Sequence, residues 1–164
     1  MKGVVFMLNE NVAEFYTHDH DELDDFLKEY QHLKRSDFMK AKSFFRSFKF
    51  GLQRHILWEE EILFPFFEQK TGLKEGGPCV VMRQEHKLIK EALEKLHEKV
   101  RRANPDSEVE EQELIDLLRD HNLKEEQILY PMIDRVSSKE ERIHINEQMN
   151  AISKDRYEYC GCKH

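Results

Sequence analysis

Residues 55–65 read HILWEEEILFP, and residues 121–131 read HNLKEEQILYP, which repeats the same pattern 66 positions later. Each copy holds a His, a Glu four residues on, a second Glu, and then Ile-Leu-aromatic-Pro. Residues four apart lie on one face of a helix, so each His can point at the same atom as its Glu. His20 is likewise followed 66 residues later by His86. This duplicated set of side chains indicates a metal-binding site.

The same residues fall on the apolar seams of four predicted helices. Apolar residues recur at alternating steps of three and four, which is typical of helices that pack together. The seams are Ala13, Tyr16, His20, Leu23, Leu27, Tyr30; Ala41, Phe45, Phe48, Leu52, His55, Glu59, Ile62, Phe66; Met82, His86, Ile89, Leu93, Leu96, Val100; and Leu114, Leu118, His121, Glu125, Ile128, Met132. All six candidate ligands are therefore expected to face one interior.

Residues that break or begin helices divide these segments. Ser36-Asp37 precede the second helix, residues 71–78 (TGLKEGGP) the third, and residues 103–107 (ANPDS) the fourth. Because these connections are short, we expect an all-α, up-down-up-down four-helix bundle. An additional short helix is expected from about Ser138 to about Lys154, and its pattern does not decide whether it covers the bundle or meets a partner.

Several residues mark where helices should begin. Ser107 and Ser138 are each followed three residues later by Glu, which predicts capping boxes at the fourth helix and the additional helix. Asn11 and Asp19 are alternative N-caps for the first helix.

Two further pairs come with the repeat. Pro65 and Pro131 follow their His by ten residues, and each predicts a kink or an end of its helix. Glu60 and Glu126 come one position after the inward Glu, about 100° round the helix. We expect these two carboxylates to orient ligands rather than to bind the metal.

Composition narrows the class of protein. The 164 residues are 36% charged with only six Gly and four Pro, which favours helices. The formal charge of −7 is spread along the chain, so nucleic acid is not an expected partner. No apolar run reaches the roughly 18 to 20 residues that span a bilayer, and no membrane association is expected.

The chain is long enough to bury one core, and we expect a single domain over residues 1–155 with a tail at 156–164. Cys79, Cys160 and Cys162 do not make a disulfide framework, which favours reduced thiols and a cytoplasmic protein. The two tail cysteines either bind a soft metal or are incidental.

The residue types indicate which metal the bundle would hold. Burying four imidazoles and two carboxylates without a partner costs several kcal/mol for each charged group. Mixed nitrogen and oxygen donors suit iron, manganese or zinc, and the lack of an inward thiolate argues against copper(I) or an iron-sulfur cluster. Four nitrogens and four carboxylate oxygens give four donors to each of two metals, which leaves positions for a bridging oxygen and an exchangeable small molecule.

This pattern resembles the hemerythrin-like, or HHE cation-binding, proteins from about His18 to Pro131. The resemblance implies a four-helix bundle around a non-haem di-iron centre with an oxo or hydroxo bridge, zinc and manganese being the alternatives. Carried over residue by residue, the family's metal ligands fall on His20, His55, Glu59, His86, His121 and Glu125.

The chain departs from the oxygen-carrying hemerythrins. Those proteins have a second His one turn from the third-helix His, whereas here the corresponding residues are Met82 and Lys90. The set of four His and two Glu is more similar to the di-iron proteins that respond to nitric oxide and oxidative damage and that are implicated in repair of iron-sulfur clusters.

We therefore expect a di-iron protein that binds or reacts with dioxygen, nitric oxide or peroxide. The alternatives are an iron or oxygen sensor, an iron-storage module without turnover, and a structural zinc bundle. The sequence does not decide whether the protein is an enzyme, and it indicates no particular protein partner.

Other histidines and one tyrosine have plainer interpretations. We expect His18, two residues from His20, to lie on the surface, and His32, His97 and His144 to be solvated. Tyr16 is either a core residue or a hydrogen-bond donor to a bridging oxygen.

Overall fold

The computed structural model describes residues 11–158, which form seven α-helices and no strand. The helices are α1 (Val12–Leu33), α2 (Phe38–Trp58), α3 (Phe64–Thr71), α4 (Pro78–Arg101), α5 (Glu108–Lys124), α6 (Tyr130–Val136) and α7 (Lys139–Ala151). One π-helical turn, Glu59–Leu63, joins α2 to α3, and another, Glu125–Leu129, joins α5 to α6. The prediction of an all-α, four-helix bundle with a short additional helix is confirmed.

The π turns explain how each helix passes its proline. Phe64 N–H donates to the carbonyl of Glu59, and Tyr130 N–H donates to that of Glu125, five residues back in both cases. A proline lacks the N–H that an α-helix needs at its position, and the wider turn before it takes up the disruption. Neither helix ends at its proline.

The extra residue in each π turn changes which of the following residues face inward, so part of the predicted seams is wrong. From the turns onward we predicted Ile62, Phe66, Ile128 and Met132 as inward residues. Ile62 is buried, but Ile128 is 55% exposed, and Phe66 and Met132 are only half-buried. The residue one position later is buried in each case, namely Phe67, Leu129 and Ile133. Periodicity assumed an uninterrupted α-helix, and the π turn moves the register by one residue.

The observed caps settle the helix starts. Asn11 is the N-cap of α1, and its Oδ1 accepts from the backbone N–H of Glu14 at 2.7 Å. Ser138 forms the predicted capping box at α7. The capping box predicted at Ser107 is wrong, because its hydroxyl donates to the side chain of Glu111 instead.

Two apolar clusters lie on either side of the six candidate ligands. The first includes Leu27, Phe48 and Leu93, and the second includes Trp58, Phe67 and Ile133. At the first cluster α1 and α2 approach closely, since a Cβ on Gly51 would lie 2.5 Å from Leu23 Cδ2. This close packing fixes the separation of the helices that carry His20 and His55.

Helix α7 covers one end of the bundle. Its Ile145 and Met149 are buried in the second cluster, and Tyr16 Oη donates to Met149 Sδ at 3.5 Å. Tyr16 is thus a core residue, which was one of the two roles predicted for it. None of the described helices is both long and apolar enough to cross a membrane. Cys160 and Cys162 lie outside the described residues.

The other end of the bundle holds a buried ionic network between α1 and α5. Lys34 Nζ donates to Glu111 Oε2 at 2.5 Å, and both side chains are about 95% buried. The hydroxyl of Ser107 donates to the same carboxylate oxygen, and Tyr30 Oη lies 2.9 Å from the Ser107 hydroxyl.

His97 was predicted to be solvated, but it is partly buried, and its Nδ1 lies 3.0 Å from Lys49 Nζ.

We predict that Glu111→Ala lowers the free energy of unfolding by about 3 kcal/mol, because it leaves the Lys34 ammonium buried without its main partner. Replacing both charges with apolar residues, Lys34→Met with Glu111→Leu, should restore most of that loss. Urea denaturation followed by circular dichroism measures both effects. Glu113→Ala, which removes an exposed partner of Lys95, is the control and should lower the free energy of unfolding far less. An equal loss in both single variants would contradict the account.

Candidate metal centre

Each of the four candidate imidazoles has a carboxylate oxygen within hydrogen-bond distance of its Nδ1 atom. The Nδ1 contacts are His55 to Asp19 at 2.7 Å, His20 to Glu126 at 2.8 Å, His86 to Glu60 at 2.9 Å, and His121 to Glu85 at 2.8 Å. A carboxylate favours the tautomer with its proton on Nδ1, which leaves the lone pair on Nε2. All four Nε2 atoms are therefore presented as electron-pair donors.

These nitrogens meet in two pairs. His20 Nε2 lies 3.0 Å from His55 Nε2, and His86 Nε2 lies 3.2 Å from His121 Nε2. The first pair joins α1 to α2, and the second joins α4 to α5. The sequence did not indicate which histidines pair with each other. The structure pairs His20 with His55 and His86 with His121.

Two fully buried carboxylates lie between the pairs. Glu59 Oε1 is 3.2 Å from His55 Nε2 and 3.4 Å from His86 Nε2. Glu125 Oε1 is 3.1 Å from His121 Nε2 and 3.4 Å from His20 Nε2. Each Glu starts a π turn and contacts one histidine of each pair, so the two carboxylates connect the pairs.

Unpartnered carboxylate oxygens at the centre of this interior favour the binding of a cation. Glu59 Oε1 and both carboxylate oxygens of Glu125 are buried without a hydrogen-bond donor among the described residues. Burial by itself would lower the pKa of His55, but Glu59 and Asp19 raise it well above its ordinary value. Burial would raise the pKa of Glu59, but the adjacent His55 holds it well below its usual range. The donors fit metal ions, which would replace the protons that these carboxylates otherwise attract.

One tyrosine reaches the site and was not expected there. Tyr130 Oη donates to Glu59 Oε2 at 3.0 Å, and it lies 3.2 Å from His55 Nε2 and 3.3 Å from His20 Nε2. Burial, followed by the charges of Glu125 and Glu59, raises the pKa of this phenol well above its ordinary value. The phenol therefore stays neutral and able to donate in the absence of a cation.

A small inner cavity at the site adjoins a larger groove. A cavity of about 10 Å³ adjoins both histidine pairs, and its walls include Phe48, Leu52 and Ile89. A groove of about 410 Å³ between α1 and α5 leads toward it, with His20, Asp24, Leu118 and Asn122 lining both spaces. A water-sized molecule matches the inner cavity, and an extended organic substrate does not.

All six candidate ligands are brought together, and Glu60 and Glu126 orient histidines as predicted. His18 has a side chain 75% exposed and takes no part.

Asp19, Glu85 and Tyr130 were missed. Asp19 and Glu85 carried a readable signal, since both are acidic, both precede a seam histidine, and they are 66 residues apart.

Comparison with known proteins gives the same family. The hemerythrin HHE cation-binding domain matches residues 11–133. No solved structure gives a significant match.

An uncharacterized hemerythrin-like protein of Schizosaccharomyces pombe is 30% identical over 138 residues, which cover 83% of this chain and 66% of that protein. The iron-sulfur cluster repair protein YtfE of Escherichia coli O157:H7 is 35% identical over 89 residues, which cover 49% of this chain and 40% of that protein. The matched segment thus spans less than half of YtfE. With the family match over most of its length, the chain belongs to the hemerythrin HHE cation-binding family.

Proposed function

We propose that this protein binds two iron ions and uses them to bind or react with a small oxidant such as nitric oxide, peroxide or dioxygen. One iron is held by His20 and His55, the other by His86 and His121, and both are bridged by Glu59 and Glu125. The observation that carries the proposal is the convergence of these six buried side chains on one uncompensated cluster of donor atoms.

The spacing of the donors supports this arrangement. Adjacent ligands at right angles around one ion, with bonds of about 2.1 Å, stand about 3.0 Å apart. The two nitrogen pairs, at 3.0 and 3.2 Å, have nearly this spacing. Each bridging carboxylate lies 3.1 to 3.4 Å from one nitrogen of each pair. Two neighbouring metal positions are consistent with these distances.

The donor types and the relatives together favour iron. Imidazole and carboxylate also suit zinc and manganese, so the donor set by itself does not choose. One group of relatives carries the name iron-sulfur cluster repair protein, which concerns iron. We infer that this chain acts in a related response to oxidative or nitrosative stress.

The bound iron and the protein chain would have different roles in the reaction. Bound iron supplies an exchangeable coordination position and one-electron chemistry. The chain keeps the four Nε2 lone pairs directed inward through the carboxylates behind them, and its apolar walls limit the size of what enters. Basic side chains balance the outer acids, Arg54 beside Asp19 and Lys124 beside Glu85.

The reaction can be tested by following consumption of nitric oxide and of hydrogen peroxide by the iron-loaded protein under anaerobic conditions. Dioxygen is then added to a separate sample of the same protein. The proposal expects at least one of the three to be bound or consumed in proportion to iron content. Iron-loaded protein that leaves all three untouched and whose spectrum does not change would contradict it.

We predict that Glu59→Ala reduces iron from two ions per chain to one or none, because the variant removes a bridge between the two histidine pairs. Elemental analysis of anaerobically reconstituted protein measures this. Glu61→Ala is a matched control, since Glu61 lies on the same π turn but is exposed and pairs with Arg156. Full retention of two irons by Glu59→Ala would overturn the ligand assignment.

We further predict that Asp19→Asn weakens iron binding about 10- to 100-fold, because His55 loses the carboxylate that orients its ring and raises its basicity. Competition with a chelator measures the affinity. Asp21→Asn, an exposed position two residues away, should leave it unchanged. Equal affinities for the two variants would show that Asp19 does not tune the site.

A further inference from the structure

Tyr130 stands among the donor atoms of one metal position. Its hydroxyl oxygen lies 3.0 to 3.3 Å from Glu59 Oε2, His55 Nε2 and His20 Nε2. These distances are close to the spacing of about 3.0 Å expected for adjacent ligands around one ion. The phenol oxygen therefore occupies the place of a further ligand beside the His20 and His55 pair.

The π turn is what brings this oxygen to the site. Tyr130 follows Glu125 by five residues, which in an α-helix would place it about 140° away from that Glu. The i to i+5 hydrogen bond from Tyr130 N–H to Glu125 O instead brings the two residues toward one face. The tyrosine is fully buried there.

The equivalent residue in the other half of the centre has no hydroxyl group. The residue 66 positions before Tyr130 is Phe64, which follows Glu59 by five residues through the other π turn. Its ring stacks on His86, with centroids 5.7 Å apart and planes 14° apart. The two halves thus have the same histidines and carboxylates but differ by one hydroxyl group.

We propose that the Tyr130 oxygen is a ligand of the iron held by His20 and His55, and that the exchangeable position therefore lies on the iron held by His86 and His121. The inference rests on the proposed di-iron function and adds to it which iron takes the small ligand. When the phenol oxygen binds Fe³⁺ its proton passes to solvent, and no electron is transferred.

A ferric ion bound by a phenolate has a visible charge-transfer absorption that histidine and carboxylate ligands do not produce. Resonance Raman spectroscopy of the two-iron, ferric wild-type protein, excited in that band, should enhance tyrosine ring vibrations. Incorporation of ring-deuterated tyrosine should shift them. If no tyrosine vibration is enhanced in protein that carries two irons, the inference is overturned while the proposed function stands.

Variants identify which tyrosine is responsible. Tyr130→Phe should lose the band and keep two irons. Tyr16→Phe is the matched control, because Tyr16 lies next to Tyr130 but its hydroxyl is directed to Met149. A band that survives in Tyr130→Phe, or disappears in Tyr16→Phe, would overturn the assignment.

Azide titration then locates the exchangeable position. Wild-type protein should bind one azide per centre, and Phe64→Tyr, which puts a second phenol beside His86, should weaken that binding at least tenfold. Phe66→Tyr, which adds a phenol at a half-buried position of the same helix α3, is the control and should bind azide as wild type does. Unchanged azide affinity in Phe64→Tyr would contradict the predicted position. Fewer than two irons in the wild-type protein would overturn the proposed function and this inference with it.

Discussion

The bundle is organised around a buried cluster of imidazole and carboxylate groups that converge on one centre. Four Nε2 atoms and two carboxylates face a common centre, and three of the carboxylate oxygens have no hydrogen-bond donor among the described residues. Such a cluster is costly in an apolar interior unless cations enter it. The carboxylates behind the four histidines contact the Nδ1 atoms, so that Nε2 is the nitrogen that each ring presents to the centre.

The two π turns shape the backbone around the same centre. Glu59 and Glu125 are the first residues of their π turns, and the aromatic residue at the end of each turn comes back toward the ligands. π-Helical turns often occur at functional sites, since they change the face on which the following side chains lie. In this chain the two turns are alike in backbone, while Phe64 and Tyr130 give the two halves different chemistry.

The sequence predicted much of this arrangement, for identifiable reasons. The 66-residue repeat and the seam positions of His20, His55, His86 and His121 were sufficient to place six ligands in one interior. The errors in the seam positions came where the helical repeat changed, since Ile128 and Met132 were assigned by a period that the π turn interrupts.

Long-range contacts were also beyond the sequence. Asp19 resembled an N-cap, and only the packing of α1 against α2 shows that it supports His55. Tyr130 resembled an ordinary aromatic before a proline, because its contacts with Glu59 and His55 join residues more than 70 positions apart.

The central claim is that cations, specifically two irons, complete this interior. Elemental analysis of wild-type protein purified without air, with absorption spectra before and after exposure to air, tests it most directly. The account predicts close to two irons per chain and a new ligand-to-metal absorption on oxidation. Zinc in place of iron, or metal-free protein with an intact helical fold and an unchanged spectrum, would contradict it.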